Sequence, residues 1–445
     1  MTPSDPARTI DHLQQDQIGV LLRAEVSAHN TGAAVAIIRE GDCQFARGYG
    51  LANIEWDLPV SPDTIFALGS ISKPLTALAI MTLIEDGRLA LATPIGEVLP
   101  PLQNAVAPVT VAHLLTHTSG VRSFNGTLDF IVRLGRQHIS AKELLAHVVQ
   151  RPCDFVPGTK WRYSNSGYAL LAYLIEAASG LSFANYMQER LFGPLGMTRS
   201  SSLHDNAILT RRAYDYQSGP HGTERARFVS SSWFRGSGSL VSTVEDLARL
   251  EAALVEGRVV SPASFARMLE PVRLEDGTTY PYGLGWGVTQ YLGRPVHHHA
   301  GSLGGYCGEY CRLPSDRLAI IVLANHRDFP FHRVTCRLVR IALGVAPPNE
   351  PNVLGATDVD LREIAGDFVS GDGDELSVDP ENGRFRCRGS NVGLFALSGD
   401  GDLHEIGDPE VVLRLDREHS ARVSALTLET PMFADRRFVR VDDAQ

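Results

Sequence analysis

Residues 66–74 read Phe66-Ala67-Leu68-Gly69-Ser70-Ile71-Ser72-Lys73-Pro74. They run into Leu75 to Glu85, a helical stretch with an apolar face and a stop at Gly87. Lys73 stands out by composition. The chain has 41 basic residues, and Lys73, Lys142 and Lys160 are its only lysines. Arginine cannot deprotonate in a protein, whereas a desolvated lysine can lose its proton near neutral pH and serve as a base. If Ser70 opens the helix, the i, i+3 spacing sets hydroxyl and amine on one face. The helix N-terminus then favours negative charge developing at the serine. A base beside a nucleophile is therefore the first functional expectation.

Outward from this stretch, residues 9 to 29 carry aliphatics at helical spacing. Two apolar runs follow, Ala33 to Ile38 and Phe45 to Leu51, split by Glu40-Gly41-Asp42. This predicts a helix and then a β-hairpin. Near residue 300 the order reverses: Gly308 to Leu313, a turn at Pro314-Ser315-Asp316, the apolar Leu318 to Leu323, and a helix from about Pro330 to Leu343. The two ends are expected to share one antiparallel sheet flanked by helices, with residues 63 to 290 as a mostly helical insertion, an α+β fold. Within the insertion, Thr110 to Leu115 reads as a short helix. Ser242-Thr243-Val244-Glu245 reads as a capping box ahead of Asp246 to Leu254.

Pro347-Pro348-Asn349-Glu350-Pro351-Asn352 breaks the pattern. We expect a first domain over 1–346, a linker over 347–354 and a small antiparallel β domain, sheet or barrel, over 355–445. Its alternating stretches are Arg384 to Arg388, Gly393 to Leu397, Val411 to Leu415 and Ala425 to Leu428.

Composition narrows the function. Hydrophobic residues are 44% and charged residues 21% of the chain, which excludes a disordered or collagenous protein. The net charge is −10, and residues 351 to 445 hold 20 acids against 10 arginines, so the imbalance sits in the tail. No basic face for nucleic acid results. No run reaches the length of a membrane span, and Met1 to Asp16 lacks the order of a secretion signal, so a cytoplasmic protein is expected. Six scattered cysteines without a CxxC pair are expected as reduced thiols, with Cys307 and Cys311 small core residues of one strand.

Several segments in order resemble the serine β-lactamase and penicillin-binding protein superfamily, most closely its class C-like branch of D-aminopeptidases, esterases and amidases. They are Phe66 to Lys73, Leu114-Leu-Thr-His-Thr-Ser-Gly120, Pro157-Gly158-Thr-Lys-Trp161-Arg-Tyr163-Ser164-Asn165-Ser-Gly167-Tyr168, Pro194-Leu-Gly-Met197, Tyr282-Gly-Leu-Gly-Trp286 and His299-Ala300-Gly301. The resemblance covers about residues 10 to 345. It implies Ser70 as the acylated nucleophile, Lys73 as the partner that removes its proton, and Tyr163 as a proton relay to the leaving group and the hydrolytic water. A phenol lowered by an ammonium neighbour would suit that relay. Asn165 is then the amide that bonds Lys73 and the acyl side of the substrate. The backbone N–H groups of Ser70 and Ser302 form the oxyanion hole, with Gly301 letting the strand approach closely.

The third motif departs from the common Lys-Thr-Gly of the family. His299 and Ala300 offer neither a fixed cation nor a hydroxyl, so a substrate ending in a carboxylate is disfavoured. The implied activity is an aminopeptidase or amidase on a small molecule or short peptide, with D-configured substrates included. Carboxylesterase comes next, then acyltransferase or β-lactamase, and a penicillin-recognising sensor is the non-enzyme alternative. No metal or organic cofactor is expected. His297 and His299 would share a strand face, but no acidic or cysteine partner at metal-site spacing accompanies them. Asn125-Gly126-Thr127 matches a glycosylation pattern with no secretion route to use it. The acidic tail is read either as a barrel whose charge draws ammonium substrates to the cleft, or as a packing or homodimerisation domain whose charge only aids solubility.

Overall fold

The computed structural model describes residues 9–102, 108–125, 130, 133–349, 358–370, 375–389, 393–399, 402–406, 408–416, 423–432 and 436–441. Gly126 and Thr127 of the glycosylation pattern, and residues 350–354 of the expected linker, lie outside the described residues. Helix α1 (His12–His29) starts at a reciprocal capping box in which Asp11 accepts from the Gln14 N–H and Gln14 accepts from the Asp11 N–H. Strands β1 (Gly32–Arg39) and β2 (Asp42–Asn53) form the hairpin. Its loop residues Glu40 and Gly41 have φ of 56° and 89°, the doubly positive geometry that follows the strand twist. Strand β2 outruns the apolar stretch Phe45 to Leu51 because backbone pairing continues to Asp42, opposite Arg39, on exposed ground.

Strand β3 (Leu58–Pro59) pairs with β2 at the sheet edge, where proline's missing N–H does no harm. The rest of the sheet comes from far along the chain: β4 (Gly287–Tyr291), β5 (Arg294–Leu303), β6 (Tyr306–Leu313) and β7 (Leu318–Ala324). The order is β4-β5-β6-β7-β1-β2-β3. Antiparallel pairing of β7 with β1, Val322 opposite Val35, joins the two ends as the sequence predicts. Both central strands are apolar because helices cover both faces. Along β6, Glu309 faces α5 (Phe331–Leu343), where its carboxylate meets His332 Nδ1 at 3.1 Å. Tyr310 and Arg312 face the opposite way toward α4 (Val244–Val255), and both bond Glu251.

Helices α2 (Ser72–Glu85) and α3 (Asn165–Ser179) pack together within the insertion. The sequence suggests one apolar face for α2, yet every residue from Ser72 to Leu83 is buried. A helix apolar on all sides belongs inside a core, and α2 lies against both α3 and the sheet. The cap of α4 corrects the expected register. Thr243 is the N-cap, accepting from the Asp246 N–H, while the Ser242 hydroxyl meets Ser200 Oγ at 2.7 Å. Asp246 itself accepts from the Arg199 N–H and the Ser200 hydroxyl. These distant partners, invisible in the local pattern, move the start by one residue.

The described chain divides into two compact units, one of residues up to Val288 with Arg294–Leu343, the other of Thr289–Gly293 with residues from Gly344 onward. The second contains a closed barrel of Gly366–Ser370, Glu375–Glu381, Arg384–Gly389, Gly393–Leu397, Leu403–Glu405, Asp408–Asp416, Ala425–Glu429 and Arg436–Arg440. Its first and last strands close the ring at Phe368 opposite Arg440. Phe368, Phe385, Phe395, Leu413 and Phe438 fill the interior. Arg440 is 2% exposed and cannot shed its charge, so the carbonyls of Val423, Ala365 and Glu363 solvate it. All six cysteines are free thiols. Among the described residues no single helix is long and apolar enough to cross a membrane.

The Thr243 cap gives a stability prediction. Thr243→Ala leaves the first turn of α4 with an orphan N–H and is expected to lower the unfolding free energy of the first unit by about 1 kcal/mol. Urea unfolding followed by tryptophan fluorescence reads it, since all four tryptophans lie in that unit.

Candidate active site

The site begins with a close approach of two backbones. Ser70 does not open α2. It sits in the preceding 3-10 turn, Gly69–Ile71, and α2 starts at Ser72. Gly69 has φ of +50°, and a Cβ there would stand 2.6 Å from the backbone nitrogen of Ser302 on β5. A Cβ on Gly301 would stand 2.1 Å from the Leu68 carbonyl oxygen. Neither position has room for a side chain. Between these two glycine contacts the Ser70 and Ser302 backbones lie side by side, with Ser70 half-buried and Ser302 exposed.

Lys73 is fully buried, and its Nζ lies 3.1 Å from Ser70 Oγ. Its other neighbours are Asn165 Oδ1 at 2.7 Å and the Ser237 carbonyl oxygen at 2.8 Å. Burial alone holds its pKa well below the ordinary lysine value, with no carboxylate contributing. A neutral amine has two N–H donors and one lone pair. In that form Asn165 Oδ1 and the Ser237 carbonyl can take the two donors, which leaves the lone pair for the Ser70 hydroxyl. Lys73 Nζ also lies 4.6 Å from the Tyr163 ring centroid, a position that stabilises an ammonium once formed.

Tyr163 shares a hydrogen bond with Ser70, but burial pushes its phenol far above the ordinary value, outweighing that bond. The expected lowering by an ammonium neighbour is thus reversed, because loss of solvent at the phenol outweighs its hydrogen bond and Lys73 is itself held toward its neutral form. Asn165 begins α3 behind Ser164, whose hydroxyl caps the helix by accepting from the Gly167 N–H. Asn165 Nδ2 donates to Asn125 Oδ1 at 3.0 Å and its N–H donates to Ser123 Oγ, so the amide is held with its oxygen toward Lys73.

His299 faces this group. Its Nε2 is 3.0 Å from the Tyr282 hydroxyl and its Nδ1 is 2.6 Å from the Ala300 carbonyl. A carbonyl can only accept, so Nδ1 carries the proton and Nε2 accepts from Tyr282. Burial and the nearby Lys73 push its pKa down to about 3, so it stays neutral. Adjacent residues on β5 point to opposite faces, and His298 Nδ1 lies 3.2 Å from Glu309 behind the strand. Among the described residues no group of three His, Cys, Asp or Glu is placed to hold a metal ion.

The structure therefore brings Ser70, Lys73, Tyr163, Asn165, His299, Gly301 and Ser302 to one place. Sequence reasoning missed His117 and the Ser237 carbonyl. The buried His117 accepts from the Ser164 N–H through Nδ1 at 3.1 Å, and its own carbonyl accepts from Arg162. Its ring lies 4.3 Å from that of Tyr163 and 4.9 Å from that of Tyr282. His117 takes a left-handed φ of 61°, uncommon for a residue with a side chain. The run Leu114 to Gly120 contains it, but a histidine in a run is no sign of its partner 47 residues later. The Ser237 carbonyl is backbone and leaves no sequence signal at all.

Comparison with known proteins finds relatives of the chain. A sequence model of the family described as Beta-lactamase matches residues 7–343. The chain is 29% identical over 346 residues to a D-aminopeptidase of Gluconobacter oxydans (strain 621H), covering 76% of this chain and 64% of that protein. It is 29% identical over 384 residues to penicillin-binding protein 4* of Bacillus subtilis (strain 168), covering 80% and 83%. The chain spans less than two thirds of the first relative's length and most of the second's. The solved octameric penicillin-binding protein homologue from Pyrococcus abyssi is similar with a TM-score of 0.69 at 25% identity, over 96% of this chain and 100% of that one.

Two predictions follow from the geometry. His117→Phe leaves the buried Ser164 N–H without an acceptor and should cost about 1–3 kcal/mol of stability with loss of turnover. His117→Asn, whose Oδ1 can accept the same bond and which tolerates left-handed φ, should retain most of both. Gly301→Ala should lower kcat at least about tenfold, because a displacement of about 1 Å at a reacting centre can cost more than that. Thermal melts with steady-state kinetics on a p-nitrophenyl ester test both.

Proposed function

The chain belongs to the beta-lactamase family, and from that premise we propose that it is a serine hydrolase that cleaves an amide bond through a Ser70 acyl-enzyme. The observation that carries this reading is the fully buried Lys73 amine, 3.1 Å from Ser70 Oγ and held by Asn165 Oδ1 and the Ser237 carbonyl oxygen. Ser70 Oγ attacks the substrate carbonyl while its proton passes to Lys73 Nζ. The developing oxyanion accepts from the N–H groups of Ser70 and Ser302. Tyr163 gives its hydroxyl proton to the leaving nitrogen and regains one from the Lys73 ammonium. The C–N bond breaks and the acyl group stays on Ser70. Water then attacks the ester, loses a proton through the same groups and releases the acid, returning the proton to Ser70.

The raised phenol of Tyr163 suits a donor to the leaving group, and the lowered Lys73 suits the base, so the two environments divide acid from base work. Neutral His299 and the methyl of Ala300 supply no cation for a substrate carboxylate. This supports small amide substrates without a terminal carboxylate, and the D-aminopeptidase relative supports D-configured ones among them. No metal or organic cofactor enters any step.

Ser70→Ala should abolish turnover of alanine p-nitroanilides and a p-nitrophenyl ester while the fold persists. Activity unchanged by that substitution would remove the proposal, and turnover of the ester alone would make the enzyme a carboxylesterase. Lys73→Arg should lose at least about a hundredfold in kcat/KM, since arginine keeps the charge and not the titration. Lys73 must be neutral to act, so kcat/KM should fall as pH drops through its lowered pKa. It should show no alkaline limb below about pH 9, because Tyr163 must keep its proton and is pushed above its ordinary value.

A further inference from the structure

Ser302 sits between two anchors. On one side Gly301 presses on the Leu68 carbonyl, as described above. On the other, the turn Leu303-Gly304-Gly305-Tyr306 joins β5 to β6, and Ser302 pairs with Cys307 just before it. Gly304 has φ of +62° and neither glycine has a side chain to hold the turn. The holding comes from the segment Ala213 to Tyr216. Gly305 donates its N–H to Asp215 Oδ2 at 2.8 Å. A Cβ on Gly305 would lie 2.3 Å from the Tyr216 carbonyl oxygen, so the two backbones are in direct contact. The Tyr306 hydroxyl donates to the Ala213 carbonyl, and Ala226 donates its N–H to the Asp215 carbonyl.

Asp215 is a costly choice for a turn anchor. Burial raises its carboxyl pKa against the pull of the Gly305 N–H and the Arg212 guanidinium, so its charge is held where water would hold it better. A charged acceptor makes a stronger bond to a backbone N–H than a neutral one. Such a cost is understandable where the position of the turn matters more than its stability.

We propose that Asp215 is a positioning residue for catalysis: by accepting the Gly305 N–H, it fixes the turn that sets where the Ser302 N–H points. The inference rests on the acyl-enzyme reading, in which Ser302 is an oxyanion donor. Asp215 acts through the strand and touches no reacting atom.

The experiment compares wild type with Asp215→Ala, Asp215→Leu and Asp215→Asn on a p-nitrophenyl ester, together with inhibition by phenylboronic acid. The boronic acid bonds to a serine Oγ, transfers that serine's proton to the base and sets one boron-bound oxygen in the oxyanion position. Asp215→Ala and Asp215→Leu should each lower kcat about tenfold with KM within about twofold, less than the loss from deleting an oxyanion donor. The inhibition constant for phenylboronic acid should rise in parallel. Asp215→Asn, which keeps an acceptor for Gly305, should restore both. Melting temperatures identify folded variants, and the leucine variant preserves side-chain volume if the alanine variant does not fold. Unchanged kcat and unchanged boronate inhibition in a folded variant would overturn the proposal, as would a loss of kcat without a change in boronate inhibition. Ser70→Ala run alongside separates the two readings: turnover surviving it defeats the acyl-enzyme, whereas turnover lost there and retained in Asp215→Leu defeats only the role of Asp215.

Discussion

The contact of backbone on backbone at Gly69 and Gly301 is the constraint from which the site follows. A side chain at either position would force the turn and β5 apart, by the 2.6 Å and 2.1 Å contacts that a Cβ would make. Because the two backbones touch, the Ser70 hydroxyl and the N–H groups of Ser70 and Ser302 are presented together by rigid elements rather than loops. The turn is continuous with α2, buried from Ser72 to Leu83, and β5 is ordered by pairing with β6. Groups fixed in this way need no reorganisation to act together.

Dryness is the second determinant. Lys73 and His299 are buried and Tyr163 is half-buried, and each is driven toward its neutral form: the lysine and histidine downward, the phenol upward. For Lys73 burial is the whole cause, with no carboxylate beside it to hold charge. His117 fits the same pattern, since burial and Lys73 hold it well below the ordinary histidine value and keep Nδ1 available to Ser164.

Strand β5 links this dry site to the rest of the fold. Its front carries His299 and its back carries His298, which reaches Glu309. Burial alone would raise the Glu309 carboxyl, yet His332 and His298 hold it down at about 2. A buried charge with two partners is costly to disturb. The strand is thus held from behind by an ionic cluster, at its end by Asp215 and in front by a glycine contact.

Much of this was legible in the sequence. The Ser70 and Lys73 pairing, the first hairpin and the flanking helices are set by spacing along one turn or one strand, and local geometry carries such signals intact. The shared sheet of the two chain ends was readable from mirrored patterns, because the apolar runs of β1 and β7 need cover on both faces. The protonation states were not, since they depend on burial: the phenol of Tyr163 went the opposite way from its motif-based expectation. Nor could the sequence place the Ser237 carbonyl, His117 or Asp215, whose partners lie 164, 47 and 90 residues away. Residue identity determined which chemical groups are present and which neighbours share a turn. Tertiary packing decided which groups are dry and which backbones touch, because desolvation and close approach are properties of the whole core.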